Sequence, residues 1–238
     1  MMVSLIIPVY NEEKIVAGTI KTVRDYMENN FKDDYEVIFV DDGSGDDTLK
    51  IAEGLSDENI KIISYEKNKG KGGAVRTGML AAAGDLVFYT DCDMAYGLDV
   101  IKTGCEMFGK NQNADIVIGS RRKHKDGYAS YTFIRKIASV AIYMFIKICG
   151  GVKSSDSQSG IKGFKNSAAK KIFGLCEVDG WSFDCEVLLI AEKLNYKILE
   201  MPVTIINHGD SKVRAADGLK LLKEVLKIKK RVKKLELK

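Results

Sequence analysis

The stretch Leu86-Val87-Phe88-Tyr89-Thr90-Asp91-Cys92-Asp93 decides the fold prediction, because it joins four apolar residues to a pair of acids. Such an apolar run is typical of a strand buried on both faces of a parallel sheet. Residues that follow such a strand lie at the carboxyl edge of the sheet, where open α/β sheets bind ligands. Side chains two residues apart in an extended chain point the same way, so Asp91 and Asp93 can face one ligand. Two hard carboxylates predict Mg²⁺ or Mn²⁺ bridged to a diphosphate, and two solvated loop acids are the open alternative.

Two further buried strands are predicted to end in polar residues at the same edge. Val3–Val9 runs into Tyr10-Asn11-Glu12, and Tyr35–Val40 runs into Asp41-Asp42. Helical patterns separate the strands, and strands alternating with helices predict a doubly wound, mostly parallel α/β sheet. In such a sheet the three polar strand ends converge.

The rest of the chain predicts one α/β domain over residues 1–213 and a basic amphipathic helix within 214–238. The segment Lys220–Lys238 contains nine Lys or Arg residues and two acids. Ile134–Ile148 is a strongly apolar helix with cations at its ends, which suits either the core or a membrane interface. Further strands are predicted at Ile60–Tyr65, Ala114–Gly119 and Tyr196–Asn207.

Composition excludes several classes of protein. The formal net charge of +4 over 238 residues is too small to indicate a nucleic-acid binder. No run of 18 apolar residues exists, so no bilayer-spanning segment is predicted. Five cysteines without paired spacing and the lack of a signal-like start predict reduced thiols in the cytoplasm. No Gly-x-Gly-x-x-Gly follows the first strand, which disfavours a dinucleotide-binding oxidoreductase.

Eight short motifs, taken in order, resemble family 2 glycosyltransferases of the GT-A fold, above all the branches that glycosylate polyprenyl phosphates. The motifs are Pro8–Glu12, Asp41–Ser44, Asn68–Ala74, Asp91–Asp93, Gly119–Arg121, Asp156–Lys162, Trp181–Glu186 and Ser211–Val213. The resemblance therefore covers the chain from Val3 to about Val213. It implies a metal-dependent enzyme that transfers a hexose and inverts the configuration at its anomeric carbon.

The resemblance also implies which residues bind the donor. A sugar nucleotide's base and ribose are held in the family by the residues that correspond to Pro8, Tyr10, Glu12 and Asp42. Lys71 and Gly72 would lie beside the nucleotide, because a cation and backbone amides suit phosphates. Asp91 and Asp93 would carry Mg²⁺ or Mn²⁺, which neutralises the leaving diphosphate.

On the acceptor side, the resemblance implies that Arg121 and Arg135 grip a phosphate, since a guanidinium matches phosphate oxygens. A phosphate acceptor is already anionic near neutral pH and needs no strong general base. Asp156 and Asp184 would then organise Arg, Lys or sugar hydroxyls. If the acceptor were a hydroxyl, one of these two acids would have to serve as the base.

Three readings of the function follow. The first is transfer of a hexose to a polyprenyl or dolichyl phosphate at the membrane surface, with UDP-glucose before GDP-mannose as donor. Ala95 favours the glucosyltransferase branch, because mannose synthases of the family commonly place Gln there. The alternative is a soluble transferase acting on a polysaccharide or other hydroxyl. A non-catalytic adaptor is the third, disfavoured by the intact Asp91 and Asp93.

The partners expected are a nucleotide sugar, the acceptor, a reversible membrane contact without tight anchoring, and either a second copy or a membrane protein. No nucleic acid is expected. Trp181 and Phe183 are predicted core anchors, Trp181 being the better placed of the two to touch a sugar.

Overall fold

A computed structural model of the chain describes residues 1–32, 34–129, 131–206 and 215–236; for Ile134, Arg135 and residues 215–220 it describes the backbone alone. These residues form one seven-stranded sheet. Its strands are β1 (Val3–Val9), β2 (Tyr35–Asp41), β3 (Ile60–Ser64), β4 (Leu86–Tyr89), β5 (Ile116–Ser120), β6 (Lys162–Lys165) and β7 (Ile198–Pro202).

The strands lie in the order β3-β2-β1-β4-β6-β5-β7, which confirms the predicted doubly wound, mostly parallel sheet. β1 is an interior strand and pairs in parallel with β2 and β4, so that Ile6 lies between Ile38 and Tyr89. β6 runs antiparallel between β4 and β5, with Lys162 opposite both Tyr89 and Ile118. The amino end of β6 therefore lies at the same edge as the carboxyl ends of its neighbours.

Helices cover both faces of the sheet, as the alternation of strands and helices predicts. They are α1 (Val16–Phe31), α2 (Thr48–Glu53), α3 (Lys71–Ala81), α4 (Asp99–Lys110), α5 (Phe133–Phe145), α6 (Asn166–Phe173), α7 (Phe183–Lys193) and α8 (Ala215–Lys234). One turn of 3-10 helix, Arg121–Lys123, follows β5, and a π-helical turn, Ile146–Gly150, continues α5. The short helix α6 was not predicted from the sequence.

Alternate residues of β1 face two separate cores. Leu5 and Ile7 pack with the buried face of α1, including Ile20, in one core. Ile6 points the other way, into a core that holds Val75 of α3. The continuous apolar run of β1 follows from this burial on both faces.

Helix α8 belongs to the second of these cores. Val225, Ile228 and Val232 are at most 4% exposed and pack with residues of α7. The guanidinium of Arg231 pairs with the fully buried carboxylate of Glu186. The predicted amphipathic helix is therefore present, and its apolar face is covered by the protein itself. Among the residues whose structure is described, no helix has the length and apolar character needed to cross a membrane.

Candidate active site at the carboxyl edge of the sheet

The ends of β1, β2 and β4 lie side by side and bring the predicted donor residues to one edge. The N–H of Asp42 donates to the carbonyl of Val9 at 2.9 Å, and Pro8 is in register with Val40. Tyr10 follows β1 with a side chain 44% exposed. The N–H of Glu12 donates to Oγ1 of Thr48 at 2.7 Å, which fixes the backbone of the loop after β1.

Asp42 is buried and organises the loop that leads into α3. Its carboxylate accepts the hydroxyl of Tyr65 at 2.6 Å and the backbone N–H groups of Lys69 and Gly70 at 2.8 and 2.9 Å. Burial, together with the hydrogen bond to Asp42, raises the pKa of Tyr65 above its usual range. The acid predicted to bind the nucleotide thus first positions the loop that carries Lys71.

The glycines of this loop permit a close approach to the chain at 178–180. Gly70 has φ of +95°, and a Cβ there would lie 2.7 Å from the carbonyl oxygen of Asp179. The N–H of Gly72 donates to that same carbonyl at 2.7 Å. Sequence reasoning expected this amide to suit a phosphate, but here a backbone acceptor already uses it. The loop instead directs the ammonium of Lys71 toward the acid pair.

Lys71 and Asp91 form an ion pair at the centre of the site. The Nζ atom of Lys71 lies 2.5 Å from Oδ1 of Asp91, and the two side chains are 15% and 31% exposed. Burial alone would lower the pKa of Lys71, but the nearby carboxylates of Asp91 and Asp184 raise it. The indole of Trp181 lies beside this ammonium, its ring centre 5.2 Å from Nζ. Trp181 is 48% exposed, so its prediction as a core anchor was wrong, whereas Phe183 is buried.

Asp93 is the outer member of the acid pair. Its side chain reaches solvent, and its Oδ1 accepts the N–H of Ala95 at 3.1 Å. Partial loss of water and repulsion from Asp91 raise the pKa of Asp93. Mutual repulsion of this kind marks a place where a cation is favourable, and the ammonium of Lys71 already neutralises one partner.

The donor set fits a hard divalent cation, because both side chains offer carboxylate oxygens. Within the described ranges, no group of three His, Cys, Asp or Glu residues is placed to hold a metal ion. Asp91 and Asp93 would therefore need further oxygen ligands, such as those of a diphosphate, to complete a coordination shell.

Arg121 and Asp156 form a second, almost buried ion pair, at the end of β5. Nε and Nη2 of Arg121 donate to the two oxygens of Asp156, each at 2.7 Å, and Nη1 donates to the hydroxyl of Tyr131 at 2.8 Å. Burial would raise the pKa of Asp156, but its bonds to Arg121 hold it below the usual value. The side chain of Arg135, the other predicted acceptor residue, lies outside what the structure describes, as do residues 211–213.

Asp184 lies in a third cluster, which joins α7 to the middle of the sheet. Nζ of Lys162 and the hydroxyl of Tyr89 both donate to Oδ1 of Asp184 at 2.5 Å. Lys162 is fully buried and also donates to the carbonyl of Ser159 at 2.7 Å. Sequence reasoning did not single out Lys162 or Tyr89. The only hint in the sequence was the lysine itself, which stands between Ile161 and Gly163 in a short apolar stretch where a buried charge needs a partner.

Comparison with known proteins places the chain in a family. The profile of the family described as "Glycosyl transferase family 2" matches residues 4–173. A dolichyl-phosphate beta-glucosyltransferase of Trichomonas vaginalis is 34% identical over 95% of this chain and 72% of its own length. The enzyme of that name from Dictyostelium discoideum is 31% identical over 95% of this chain and 73% of its own.

Solved structures agree on the fold. Glucosyl-3-phosphoglycerate synthase from Mycobacterium tuberculosis, in complex with Mn²⁺, uridine diphosphate and phosphoglyceric acid, superposes with a TM-score of 0.70. It is 17% identical, and the match covers 99% of this chain and 80% of that one. Mannosyl-3-phosphoglycerate synthase from Rubrobacter xylanophilus gives 0.71 at 16% identity, over 97% and 73% of the two chains. The chain is a hexosyltransferase with the GT-A fold and belongs to glycosyl transferase family 2.

Proposed function

We propose that this enzyme transfers glucose from UDP-glucose to dolichyl phosphate or another polyprenyl phosphate, with inversion at the anomeric carbon. Relatives named dolichyl-phosphate beta-glucosyltransferases support the acceptor and the sugar, at 28 to 34% identity over at least 94% of this chain. Ala95 supports glucose over mannose, and GDP-mannose is the second choice of donor.

The observation that carries this proposal is the hydrogen bonding of the Asp156 and Asp184 carboxylates. A hydroxyl acceptor would need one of them as a general base. Asp156 is bound through both oxygens to Arg121, and Asp184 accepts Lys162 and Tyr89 on one oxygen. The guanidinium of Arg121 holds the pKa of Asp156 below its usual value, whereas Oδ1 of Asp184 is already occupied by two donors. Both acids therefore suit positioning better than proton transfer, and a phosphate acceptor needs no base.

Each cluster has its own part in the mechanism. Mg²⁺ or Mn²⁺, when bound by Asp91 and Asp93, would supply positive charge for the leaving diphosphate. The ammonium of Lys71, which lies beside Asp91, provides a second positive charge for the same diphosphate. Trp181 offers a half-exposed ring beside Lys71, where a sugar face can pack. Asp42 keeps the loop of Lys71 in place through Lys69 and Gly70.

Arg121 supports acceptor binding with one part of its guanidinium. Asp156 fixes Nε and Nη2, whereas Nη1 donates to the phenol oxygen of Tyr131. An acceptor phosphate would compete with this phenol rather than with a carboxylate. We propose that Asp156 thereby orients Arg121 while Nη1 recognises the phosphate, together with Arg135 from α5.

We also propose that the enzyme works in reversible contact with the cytoplasmic face of a membrane. Helix α5 and its continuation expose an apolar stripe at helical spacing, which we call the α5 stripe: Phe133, Ile137, Val140, Met144 and Ile148, each 44 to 78% exposed. Helix α8 packs beside α5 and turns lysines to solvent, including Lys227 and Lys230. Because the apolar face of α8 is buried, α8 would supply charge toward anionic lipid and α5 the apolar insertion.

Vesicle co-sedimentation tests the membrane contact. Ile137→Ser with Met144→Ser should reduce binding to vesicles of mixed neutral and anionic lipid. The matched control is Leu80→Ser, which removes a comparably exposed apolar side chain on α3. Full-length protein that stays in the supernatant at low salt would contradict the proposed contact.

Acceptor and donor are tested together by a transfer assay. UDP- and GDP-sugars are supplied with Mn²⁺ to a short polyprenyl phosphate and, in parallel, to the polyprenol of the same length. We expect transfer from UDP-glucose onto the phosphate alone. Equal transfer onto the polyprenol, or onto a polysaccharide, would favour the hydroxyl-acceptor alternative.

A further inference from the structure

We propose that Lys71 is an internal counter-ion of the metal site, and that the donor's diphosphate must draw it away before Asp91 can bind a divalent cation. The inference rests on the proposed function in taking Asp91 and Asp93 as metal ligands. It adds that Lys71 makes metal binding depend on the donor. Lys71 then favours binding of the metal ion together with an anionic diphosphate over binding of the metal ion alone.

Both oxygens of Asp91 have a close neighbour in the structure. Oδ1 lies 2.5 Å from the ammonium of Lys71. Oδ2 faces Gly160 so closely that a Cβ on that glycine would lie 2.2 Å from it. Mg²⁺ binds carboxylate oxygens at about 2.0–2.1 Å, so a metal ion on Oδ1 and the ammonium cannot occupy this place together. Metal binding at Asp91 therefore requires the side chain of Lys71 to move.

The backbone around Lys71 is held, so the movement is confined to the side chain. The N–H of Gly72 is bound to Asp179, and Gly70 is bound to Asp42. Four methylene groups allow the ammonium to swing without moving helix α3. The side chain of Lys71 is only 15% exposed, so moving its ammonium away from Asp91 without a new anionic partner would leave a charge that water solvates poorly.

A diphosphate meets both requirements at once. Its oxygens can accept the ammonium of Lys71, and they can complete the coordination shell that Asp91 and Asp93 leave short. Metal and diphosphate should therefore bind with positive coupling, part of which comes from Lys71. Metal alone has to displace the ammonium without offering it a new anion.

The test measures Mn²⁺ binding directly, from the electron paramagnetic resonance signal of free Mn²⁺, without and with UDP. Lys71→Met removes the ammonium and keeps much of the side-chain volume. Lys69→Met is the matched control, since it changes the net charge equally on the same loop. The Nζ of Lys69 lies over the ring of Tyr65, 4.0 Å from its centre.

We expect Lys71→Met to bind Mn²⁺ alone about tenfold more tightly than the wild type, and Lys69→Met to change it less than twofold. We also expect UDP to tighten Mn²⁺ binding by a smaller factor in Lys71→Met than in the wild type. Unchanged or weaker Mn²⁺ binding by Lys71→Met, or an equal gain in Lys69→Met, would overturn the counter-ion role alone. Failure of all three proteins to bind Mn²⁺ with UDP present would overturn the metal assignment on which this inference rests, and the counter-ion role with it.

Discussion

Shortening Ile228 to alanine tests whether α8 is an integral part of the enzyme core. Ile228 is 4% exposed and lies in the same core as Val225 and Ile172. The substitution removes three carbon atoms, worth about 2.4 kcal/mol at ~0.8 kcal/mol per buried methylene group. The cavity left behind adds to this loss, so we expect the free energy of unfolding to fall by about 3 kcal/mol. For a domain with about 5–15 kcal/mol of stability, roughly a fifth to three fifths would be lost.

Urea unfolding followed by circular dichroism measures this change, and the slope with denaturant should stay the same. The matched control is Leu226→Ala, which shortens a side chain on the same helix that is 47% exposed. Its effect should stay within about 0.5 kcal/mol, as for other surface positions. Equal, small effects of both substitutions on the free energy of unfolding would refute the packing of α8 into the core. So would a separate unfolding transition of α8 at lower urea concentration.

Three further predictions concern the site. Asp93→Ala should lower the rate of glycosyl transfer about a hundredfold or more at unchanged thermal stability, because the side chain of Asp93 is exposed and serves the ligand rather than the core. Wild-type turnover of this variant in saturating Mn²⁺ would show that Asp93 does not belong to the active site. Gly160→Ala should weaken Mn²⁺ binding in the presence of UDP, since its methyl group must displace Asp91, and an unchanged affinity would argue against Asp91 as a ligand. Because Arg121 lowers the pKa of Asp156 below its ordinary 3.8, the stability from this pair is present above that pH and lost as the pH falls through the folded-state value. The stability difference between wild type and Asp156→Asn should therefore shrink on acidification below about pH 4, and a difference that grows there would contradict the pairing.

The sequence predicted those parts of the fold in which a local pattern of residues occurs in only one kind of structural environment. Continuous apolar runs such as Leu86–Tyr89 occur on strands covered on both faces, and alternation with helices leaves few topologies. Asp156–Phe164 predicts a loop that enters a short strand, and β6 confirms it, but four residues with a lysine at the start do not tell that the strand is antiparallel and lies between β4 and β5. Helix α8 shows a related limit: amphipathic spacing predicts an apolar face, but only the tertiary structure tells what covers it.

The same division applies to the site. Convergence of Glu12, Asp42 and Asp91 follows from parallel topology, which the sequence indicates. Which partner each group takes does not follow, since partners such as Lys162 and Asp184 meet only through the fold. The amide of Gly72 illustrates this, because its acceptor, Asp179, lies more than a hundred residues away in the chain.

The position of β6 has a consequence for synthesis on the ribosome. Strands β1 to β4 are complete once Tyr89 has emerged, but the free edge of β4 is covered only when Lys165 follows. At about 5–20 residues per second, roughly 75 residues separate these events by ~4–15 s. During that interval Leu86–Tyr89 presents an apolar, unpaired edge of the kind that templates aggregation. Nascent chains halted between these two points should therefore require chaperones, whereas chains released after β6 should not.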